Sequence, residues 1–246
     1  MRAGRGAITL PPMTWSILVR DPATGALGAA VASRFFAVGA ICIQVEGGVA
    51  AMATQALVNP MHFPPAWPRL RAGDVPQAIL DDLLRGDPGV DQRQCHIVDA
   101  QGRIAQHTGE NCVTWAGMVR GVNISVAGNM LAGPQVVQAT LDGFAAAHGD
   151  LAERLIGAME AGEAVGGDKR GKQSAALKIC TKDSYPDLDI RSDDHPDPLA
   201  DLRRLHRVSQ ERFAIFRRHL AGRDSQWGTV DREIINADVE KYGKPL

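Results

Sequence analysis

The stretch MTWSILVRDPATGALGAAVASRFFAVGA, residues 13–40, determines how the rest of the sequence is interpreted. It contains two short apolar runs, residues 15–20 and 26–33, which the segment DPATG separates. Apolar runs of four to eight residues between Pro and Gly turn signals are typical of buried strands. The stretch therefore predicts two antiparallel strands joined by a tight turn.

Further short apolar runs follow along the chain. Residues 40–45 and 49–54 predict two more consecutive strands, and four runs between residues 95 and 127 predict a second sheet. Residues 174–180 predict one more strand. Strands that occur in groups, rather than alternating singly with helices, are typical of α+β proteins rather than of doubly wound folds.

Helical patterns separate these groups of strands. The prolines of residues 59–72 predict irregular chain, after which a helix begins near Pro76. Two helices follow from Pro134 and Leu151, and Asp197 is the expected N-cap of one long C-terminal helix. We therefore predict an α+β sandwich of two sheets covered by helices.

Composition excludes several classes of protein. The chain has 246 residues, 45% of them hydrophobic, and 27 Lys and Arg against 28 Asp and Glu, so neither disorder nor a nucleic-acid partner is expected. Arg34 and Glu46 interrupt the most apolar stretch, which excludes a membrane span. The four cysteines are scattered without a CxxC pair, which favours free thiols, no metal and a cytoplasmic location.

The chain divides into three parts on these patterns. Residues 1–12 lack the apolar core of a secretory signal and are interpreted as an N-terminal extension, a short arm that ends at Pro11 and Pro12. Residues 13–196 are expected to form the folded domain. Residues 197–246 are expected to form a C-terminal helix and tail that pack on the domain or on a second subunit, which makes a homodimer the expected assembly.

Several motifs occur together in one order. Besides the first stretch, they are ATQALVNP (53–60), VAGNMLAGP (126–134), GGDKRGKQSAAL (166–177) and SDDHPDPLADLRRL (192–205). In this set the chain resembles a bacterial family, domain of unknown function 1028 (DUF1028), which is placed in the N-terminal nucleophile (Ntn) hydrolase superfamily. The resemblance implies a four-layer αββα sandwich of two antiparallel sheets.

The resemblance also implies a mechanism. In Ntn hydrolases a Thr, Ser or Cys is the first residue of the mature chain, and its own α-amine is the general base. Here Thr14 is the candidate nucleophile, exposed either by removal of Met13 as initiator or by cleavage. Ser16, two residues on and thus on the same face of the strand, is a weaker substitute. The alternative is that Thr14 is an ordinary strand threonine.

Two further catalytic candidates are Arg34 and Asn129. Ser33-Arg34 is similar to the Ser-Arg pair after the second strand of proteasome-type members. An arginine in an apolar stretch needs a partner, either a substrate carboxylate or an internal acid such as Asp168. Asn129 is a candidate oxyanion-hole donor, although asparagine is equally common in turns.

The remaining candidates are polar groups expected around a substrate pocket. Thr54, Gln55 and Asn59 lie near the end of the fourth predicted strand, while Asp168 and Arg170 are placed to pair with buried charges. The segment GGDKRGKQ nearly matches a phosphate-binding loop, but Gln173 replaces the required hydroxyl and a strand follows. We therefore expect no nucleotide and no other cofactor. The acidic residues 183–201 are interpreted as a solvated loop rather than a metal site.

The function predicted from these features is hydrolysis of a carbon–nitrogen (amide) bond in a small molecule. Proteasome-like members also use a lysine near the nucleophile, but this chain has no lysine before Lys169, so peptide-bond proteolysis is not expected. The alternative function is a catalytically silent Ntn-like scaffold that binds a ligand or a partner. A free amine on Thr14 would distinguish the two.

Overall fold

The computed structural model describes residues 14–167 and 171–243. Within these ranges the strands are β1 Thr14–Arg20, β2 Leu27–Ser33, β3 Ile43–Glu46, β4 Ala50–Ala56, β5 Arg93–Asp99, β6 Ile104–Thr108, β7 Trp115–Gly121, β8 Ile124–Leu131, β9 Ser174–Cys180 and β10 Leu188–Ser192. The helices are α1 Gly39–Cys42, α2 Phe63–Ala72, α3 Pro76–Arg85, α4 Pro134–Ala146, α5 Leu151–Ala164, α6 Pro198–Glu211, α7 Phe213–Arg217 and α8 Arg232–Tyr242.

The strands form two antiparallel sheets. The larger sheet has the order β10-β9-β2-β1-β8-β7 and the smaller one the order β3-β4-β5-β6. The predicted grouping, with the first four strands consecutive and a second sheet formed by the strands after residue 95, is wrong. β1 and β2 pair with each other as expected, but their outer neighbours are the late strands β8 and β9, whereas β3 and β4 share a sheet with β5 and β6. An apolar run indicates a strand, but its partner depends on contacts distant in sequence.

The alternation along β1 shows how the sheets pack. Trp15, Ile17 and Val19 belong to the core beneath the helices, whereas Leu18 belongs to the core between the two sheets. Successive side chains of a strand point to opposite faces, so Thr14 and Ser16 also face the other sheet. Much of the inter-sheet core is alanine and valine, which keeps the two sheets close.

Helices cover both outer faces. Side chains of α4, α5 and α6 complete the core on the larger sheet, and α2 and α3 complete the core on the smaller sheet. The molecule therefore has four layers, in the order helices, sheet, sheet, helices. The predicted αββα sandwich of two antiparallel sheets, an α+β fold, is confirmed.

Three local predictions differ from the structure. Residues 40–42 lie in α1 rather than in a strand. Residues 63–72 form helix α2. Pro64 and Pro65 occupy its first turn, where the missing backbone N–H costs no hydrogen bond, whereas Pro68 lies inside the helix. The C-terminal helix is broken at Arg212, whose φ of −137° is not helical. Its first part, α6, is capped by Asp197 as expected, and Leu199 lies in the larger core.

The acidic segment is more ordered than predicted. Residues 188–192 form β10, and Asp183 is buried, where its carboxylate accepts hydrogen bonds from Arg217 and from the backbone N–H of Arg223. These contacts lower the pKa of Asp183, with the Arg223 N–H as the largest cause. The solvated-loop interpretation is therefore wrong for this part of the segment.

All four cysteines are free thiols, as predicted. Cys42, Cys95 and Cys180 are buried, and burial raises the pKa of each to about 12. Cys112 is only partly buried. Across residues 14–167 and 171–243, each helix is too short or too polar to cross a lipid bilayer.

Candidate active site

The layer between the sheets has an apolar part and a polar part. Leu18, Val31 and Val98 belong to the apolar part, and ten polar side chains form the polar part, which includes the start of β1. We call these ten the polar cluster: Thr14, Ser16, Ser33, Gln55, Gln94, His96, Gln106, Thr108, Ser125 and Asn129. None of the ten carries a carboxylate or an ammonium group, so hydrogen bonds rather than ion pairs connect these ten side chains with one another.

Thr14 lies at the edge of the polar cluster and is 3% exposed. It is flanked in the sheet by Ser33 on β2 and Asn129 on β8. Its Oγ1 donates to Ser33 Oγ at 3.3 Å, and its carbonyl accepts from Asn129 Nδ2 at 3.2 Å and Gln55 Nε2 at 3.4 Å. Two amides from different sheets thus hold the Thr14 peptide in place.

Gln94 connects the residues that hold Thr14. Its Oε1 accepts from Gln55 Nε2 at 2.8 Å and from Asn129 Nδ2 at 3.1 Å. Its Nε2 donates to the Gly128 carbonyl at 2.9 Å and to Thr108 Oγ1 at 3.0 Å. Since Asn129 Nδ2 carries two hydrogens, its bonds to Thr14 and Gln94 occupy both of them. In this arrangement Asn129 is a positioning residue, and an oxyanion role would require one of these bonds to break.

His96 lies beneath Thr14, fully buried between two serines. Its Nε2 is 2.8 Å from Ser16 Oγ and its Nδ1 is 2.7 Å from Ser125 Oγ. Ser16 donates its proton to Gln55 Oε1 at 2.7 Å, so Nε2 carries the imidazole proton and Nδ1 accepts from Ser125. Burial lowers the pKa of His96 to about 3. The imidazole is therefore neutral and holds Ser16 and Ser125 directly. Through Ser16 it also orients Gln55, which donates to the Thr14 carbonyl.

A pocket opens beside the polar cluster, between the ends of β4 and β8. Its volume is about 150 Å³, and Asn129 forms part of its floor. We call it the β4–β8 pocket; it is lined by Ala56, Leu57, Val58, Gln92, Asn111, Cys112, Val113, Asn129 and Met130. Because the Asn129 amide contacts the Thr14 carbonyl, the pocket is one side chain away from the candidate nucleophile.

Backbone strain is concentrated around this pocket. Ala56 and Met130, which line it, have φ values of 65° and 55°, and Thr114, next to a lining residue, has 56°. Left-handed backbone conformations are uncommon for residues other than Gly, Asn and Asp, and they cost roughly 1–3 kcal/mol each. Such strain is retained where a particular shape is needed, which favours a functional role for this end of the sandwich.

A comparison with known protein families identifies one family that covers most of the chain. A model of a family of unknown function, DUF1028, matches residues 14–202, which is most of the chain. The chain belongs to the DUF1028 family. The predicted resemblance is therefore confirmed, and the matched segment begins at Thr14. A search of curated proteins gives no significant match.

Two solved structures are similar to this DUF1028 protein to different degrees. The crystal structure of protein SPO2555 from Silicibacter pomeroyi, another DUF1028 protein, is 28% identical with a TM-score of 0.83, over 89% of this chain and 96% of that chain. The crystal structure of eukaryotic HslV from Trypanosoma brucei is 10% identical with a TM-score of 0.37, over 68% of this chain and 99% of that one.

Thr54 and Asn59 lie apart from Thr14 in this DUF1028 protein. Thr54 faces the helices, as its position next to Gln55 on β4 requires, and its Oγ1 accepts the Asn59 backbone N–H at 3.3 Å. Asn59 Nδ2 in turn donates to Asp87 Oδ2 at 3.3 Å. Of the three candidates on this segment, the structure places only Gln55 beside Thr14.

Asp87 is the centre of a second group of polar residues, on the outer face of the smaller sheet. Its carboxylate accepts from Arg93 Nε at 2.9 Å and lies 2.9 Å from His62 Nε2. Arg93 holds the pKa of Asp87 well below its usual range, while burial lowers the pKa of His62. Arg93 also donates to the Leu57 carbonyl, so this outer cluster supports one wall of the β4–β8 pocket.

Arg34 is exposed rather than buried, so the argument that burial demands a partner does not hold. It lines a separate, open pocket with Lys172, Asp194 and His195, on the β2 side of Thr14. Asp168 and Arg170 lie outside the described residues. Within the described ranges, no three His, Cys, Asp or Glu side chains are arranged to hold a metal ion.

Sequence reasoning missed Gln94, His96 and Ser125. The residues around His96 alternate between polar and apolar, which in a strand already places Gln94, His96 and Val98 on one face. That signal identifies a shared face. It does not reveal that the face meets Thr14, because the two strands belong to different sheets.

Proposed function

We propose that this DUF1028 protein is an Ntn-type hydrolase of a carbon–nitrogen amide bond in a small molecule, with Thr14 as nucleophile. The observation that carries the proposal is the position of Thr14. It begins β1 in the polar part of the inter-sheet layer, its peptide is held by two amides, and a pocket lies one side chain away. The family match also begins at this residue.

The proposed reaction proceeds in two steps on a chain whose first residue is Thr14. Thr14 Oγ1 attacks the amide carbon while its proton passes to the α-amine and then to the leaving nitrogen. An ester with Thr14 remains, and a water molecule, deprotonated by the same amine, hydrolyses it to a carboxylic acid. An α-amine has an ordinary pKa of about 7.7–8.0, so it accepts a proton readily near neutral pH.

The surroundings of Thr14 suit this use of the amine. No side chain of the polar cluster carries a permanent charge, and burial among these neutral groups disfavours the protonated amine. Ser33 Oγ, 3.3 Å from Thr14 Oγ1, orients the hydroxyl. In the proposal Gln55 and Asn129 are positioning residues, and donation by Asn129 to the oxyanion requires its bond to Gln94 to be released.

In the proposal, Arg34 acts on the β2 side of Thr14, opposite the β4–β8 pocket. There its guanidinium would bind a substrate carboxylate or orient the site. Arg34→Ala would then raise KM for carboxylate-bearing amides and leave KM for uncharged amides unchanged, which steady-state kinetics on a matched pair of substrates would measure.

The test compares two forms of the chain. One starts at Met13, so that removal of the initiator exposes Thr14, and the other is the full chain; intact mass defines the first residue of each. A panel of small amides is then assayed by release of the amine. Thr14→Ala should lower the rate by at least about a thousandfold, as loss of a nucleophile does elsewhere. Thr24→Ala, at an exposed threonine, is the matched control.

Two results together would contradict the proposal. They are a full chain that retains residues 1–13 under native conditions, and a Thr14-initiated chain whose activity on every amide equals that of Thr14→Ala. The catalytically silent scaffold would then be the better interpretation.

We further propose a homodimer in the cytoplasm. The segment from α7 to α8 exposes Phe213, Phe216 and Trp227, and Trp227 is 77% exposed. Aromatic side chains of this kind are enriched in protein interfaces, and four free thiols suit a reducing compartment. Sedimentation equilibrium of the wild type and of Trp227→Glu would test the dimer.

A further inference from the structure

The β4–β8 pocket has a floor, walls and a rim of different character. Asn129 and Met130 form the floor and are buried, at 1% and 4% exposure. Ala56, Val58 and Cys112 form partly buried walls, and the rim consists of the exposed Leu57, Gln92, Asn111 and Val113. The inner surface is thus apolar apart from the Asn129 amide and the Cys112 thiol.

The lining makes the pocket unsuited to an ion. None of its nine residues is a carboxylate, ammonium, guanidinium or imidazole, and its only polar side chains other than the Cys112 thiol are neutral amides. A charged group that enters loses water without gaining an opposite charge, which is costly. The group that binds here is therefore uncharged.

The Asn129 side chain in the floor offers an acceptor, so a ligand in the pocket needs a hydrogen-bond donor. Asn129 Nδ2 faces the Thr14 carbonyl and Gln94 Oε1, both of them acceptors, so the amide orientation is determined. Its Oδ1 is the remaining polar atom and accepts no hydrogen bond from residues 14–167 or 171–243. An N–H group of a ligand in the pocket would complete the hydrogen bonding of Asn129.

The volume limits the size of this ligand. An apolar cavity of 150 Å³ in another protein holds benzene, which has six non-hydrogen atoms. The β4–β8 pocket has about the same volume. A four-carbon primary amide such as isobutyramide also has six non-hydrogen atoms and combines an aliphatic group with N–H donors.

We propose that the β4–β8 pocket binds a short, uncharged aliphatic carboxamide. The aliphatic group contacts Ala56, Val58 and Met130, the amide N–H donates to Asn129 Oδ1, and the carbonyl meets the rim amides. Taking this carboxamide as the substrate portion next to Thr14 rests on the proposed function; binding in the pocket does not.

Binding can be measured without catalysis, on the full chain. Cys112 lies in the wall and is the least buried of the four cysteines, so its alkylation by iodoacetamide, followed by peptide mass, reports occupancy. Isobutyramide should slow this alkylation about sixfold at five times its dissociation constant, because only the unoccupied pocket reacts. Isobutyrate, which is similar in shape but charged, should not protect Cys112.

A pair of variants locates the effect. Val113→Trp fills the mouth of the pocket and should abolish protection, whereas Val122→Trp, at an exposed valine in the β7–β8 turn, should leave it unchanged. The NMR resonance of the Met130 methyl group is a second readout, and its loss in Met130→Leu assigns it. Isobutyramide should shift this resonance in the wild type and in Val122→Trp but not in Val113→Trp.

The outcomes separate this inference from the proposed function. Equal protection by isobutyrate and isobutyramide, or protection and a Met130 shift that persist in Val113→Trp, would overturn the pocket assignment. The absence of both protection and a Met130 shift in the wild type would overturn it as well. Protection without any Thr14-dependent hydrolysis would uphold the pocket and contradict the hydrolase.

Discussion

His96→Gln is expected to change how the stability of the protein depends on pH. His96 is fully buried, and burial lowers its pKa from 6.5 to about 3. As pH falls below 6.5, the unfolded chain binds a proton at this site and the native protein does not, until pH approaches 3. Because the pKa of His96 is lower in the native protein than in the unfolded chain, the fold is more stable at neutral pH than in acid. Between pH 6.5 and pH 3 the free energy of unfolding falls by about 1.4 kcal/mol per pH unit.

The magnitude follows from the two pKa values. Between pH 7 and pH 4.5 the free energy of unfolding should fall by about 2.5 kcal/mol through His96 alone. Glutamine offers one donor and one acceptor to Ser16 and Ser125, but it does not titrate. The variant should lose about 1–3 kcal/mol at pH 7 through poorer hydrogen bonding, and its deficit should shrink or reverse at pH 4.5.

Urea unfolding at several pH values between 4.5 and 7 measures the effect. The exposed His148→Gln is the matched control and should keep the acid slope of the wild type. His62, whose pKa burial also lowers, remains in both variants and contributes equally to each. If His96→Gln keeps the slope of the wild type, His96 does not bind its proton differently in the two states, and the reasoning from burial is refuted.

Three further substitutions test the supports of the site, each by urea unfolding. Gln94→Leu should cost at least about 3 kcal/mol, because it leaves several buried partners unpaired, and a loss below 1 kcal/mol would contradict the network. Asp87→Asn should cost about 3–5 kcal/mol by leaving the Arg93 charge without its buried partner; retained stability would rule that out. Ala56→Gly should leave stability unchanged or raise it, because glycine relieves the strain of a φ of 65°. The control Ala116→Gly, at a strand residue without a positive φ, should cost about 0.5–1 kcal/mol, and equal losses in the two variants would argue against strain at Ala56.

Local signals predicted many of the elements. The N-cap at Asp197, the proline at the start of α4 and the apolar run of β9 each identified an element correctly. The failures have physical causes too. The prolines of residues 59–72 predict irregular chain, but the first turn of α2 tolerates Pro64 and Pro65, and the helix also includes Pro68. Arg212 ends α6 at a point where the pattern of apolar residues continues.

The sequence predicted the residues of the candidate site on the larger sheet and, on the smaller sheet, only Gln55. Thr14 and Ser16 share a face because strand side chains alternate, and their apolar neighbours suffice to predict it. The sequence singles out Asn129 by its polar amide near a strand end, and the structure adds that both hydrogens of this amide are bonded, to the Thr14 carbonyl and to Gln94 Oε1. Thr54 and Gln55 were grouped as neighbours, although adjacent residues of a strand face opposite ways.

The sequence by itself determined the family, the sandwich class and the residue that begins β1, because these depend on local patterns and on motifs in a fixed order. The tertiary structure decided that Gln94 and His96 lie beneath the start of β1, although about 80 residues of chain separate them from Thr14 and Ser16. It also decided that Arg34 is exposed and that an uncharged pocket adjoins Asn129. The physical reason is that a stacked pair of sheets brings together strands whose contacts leave no mark on local periodicity.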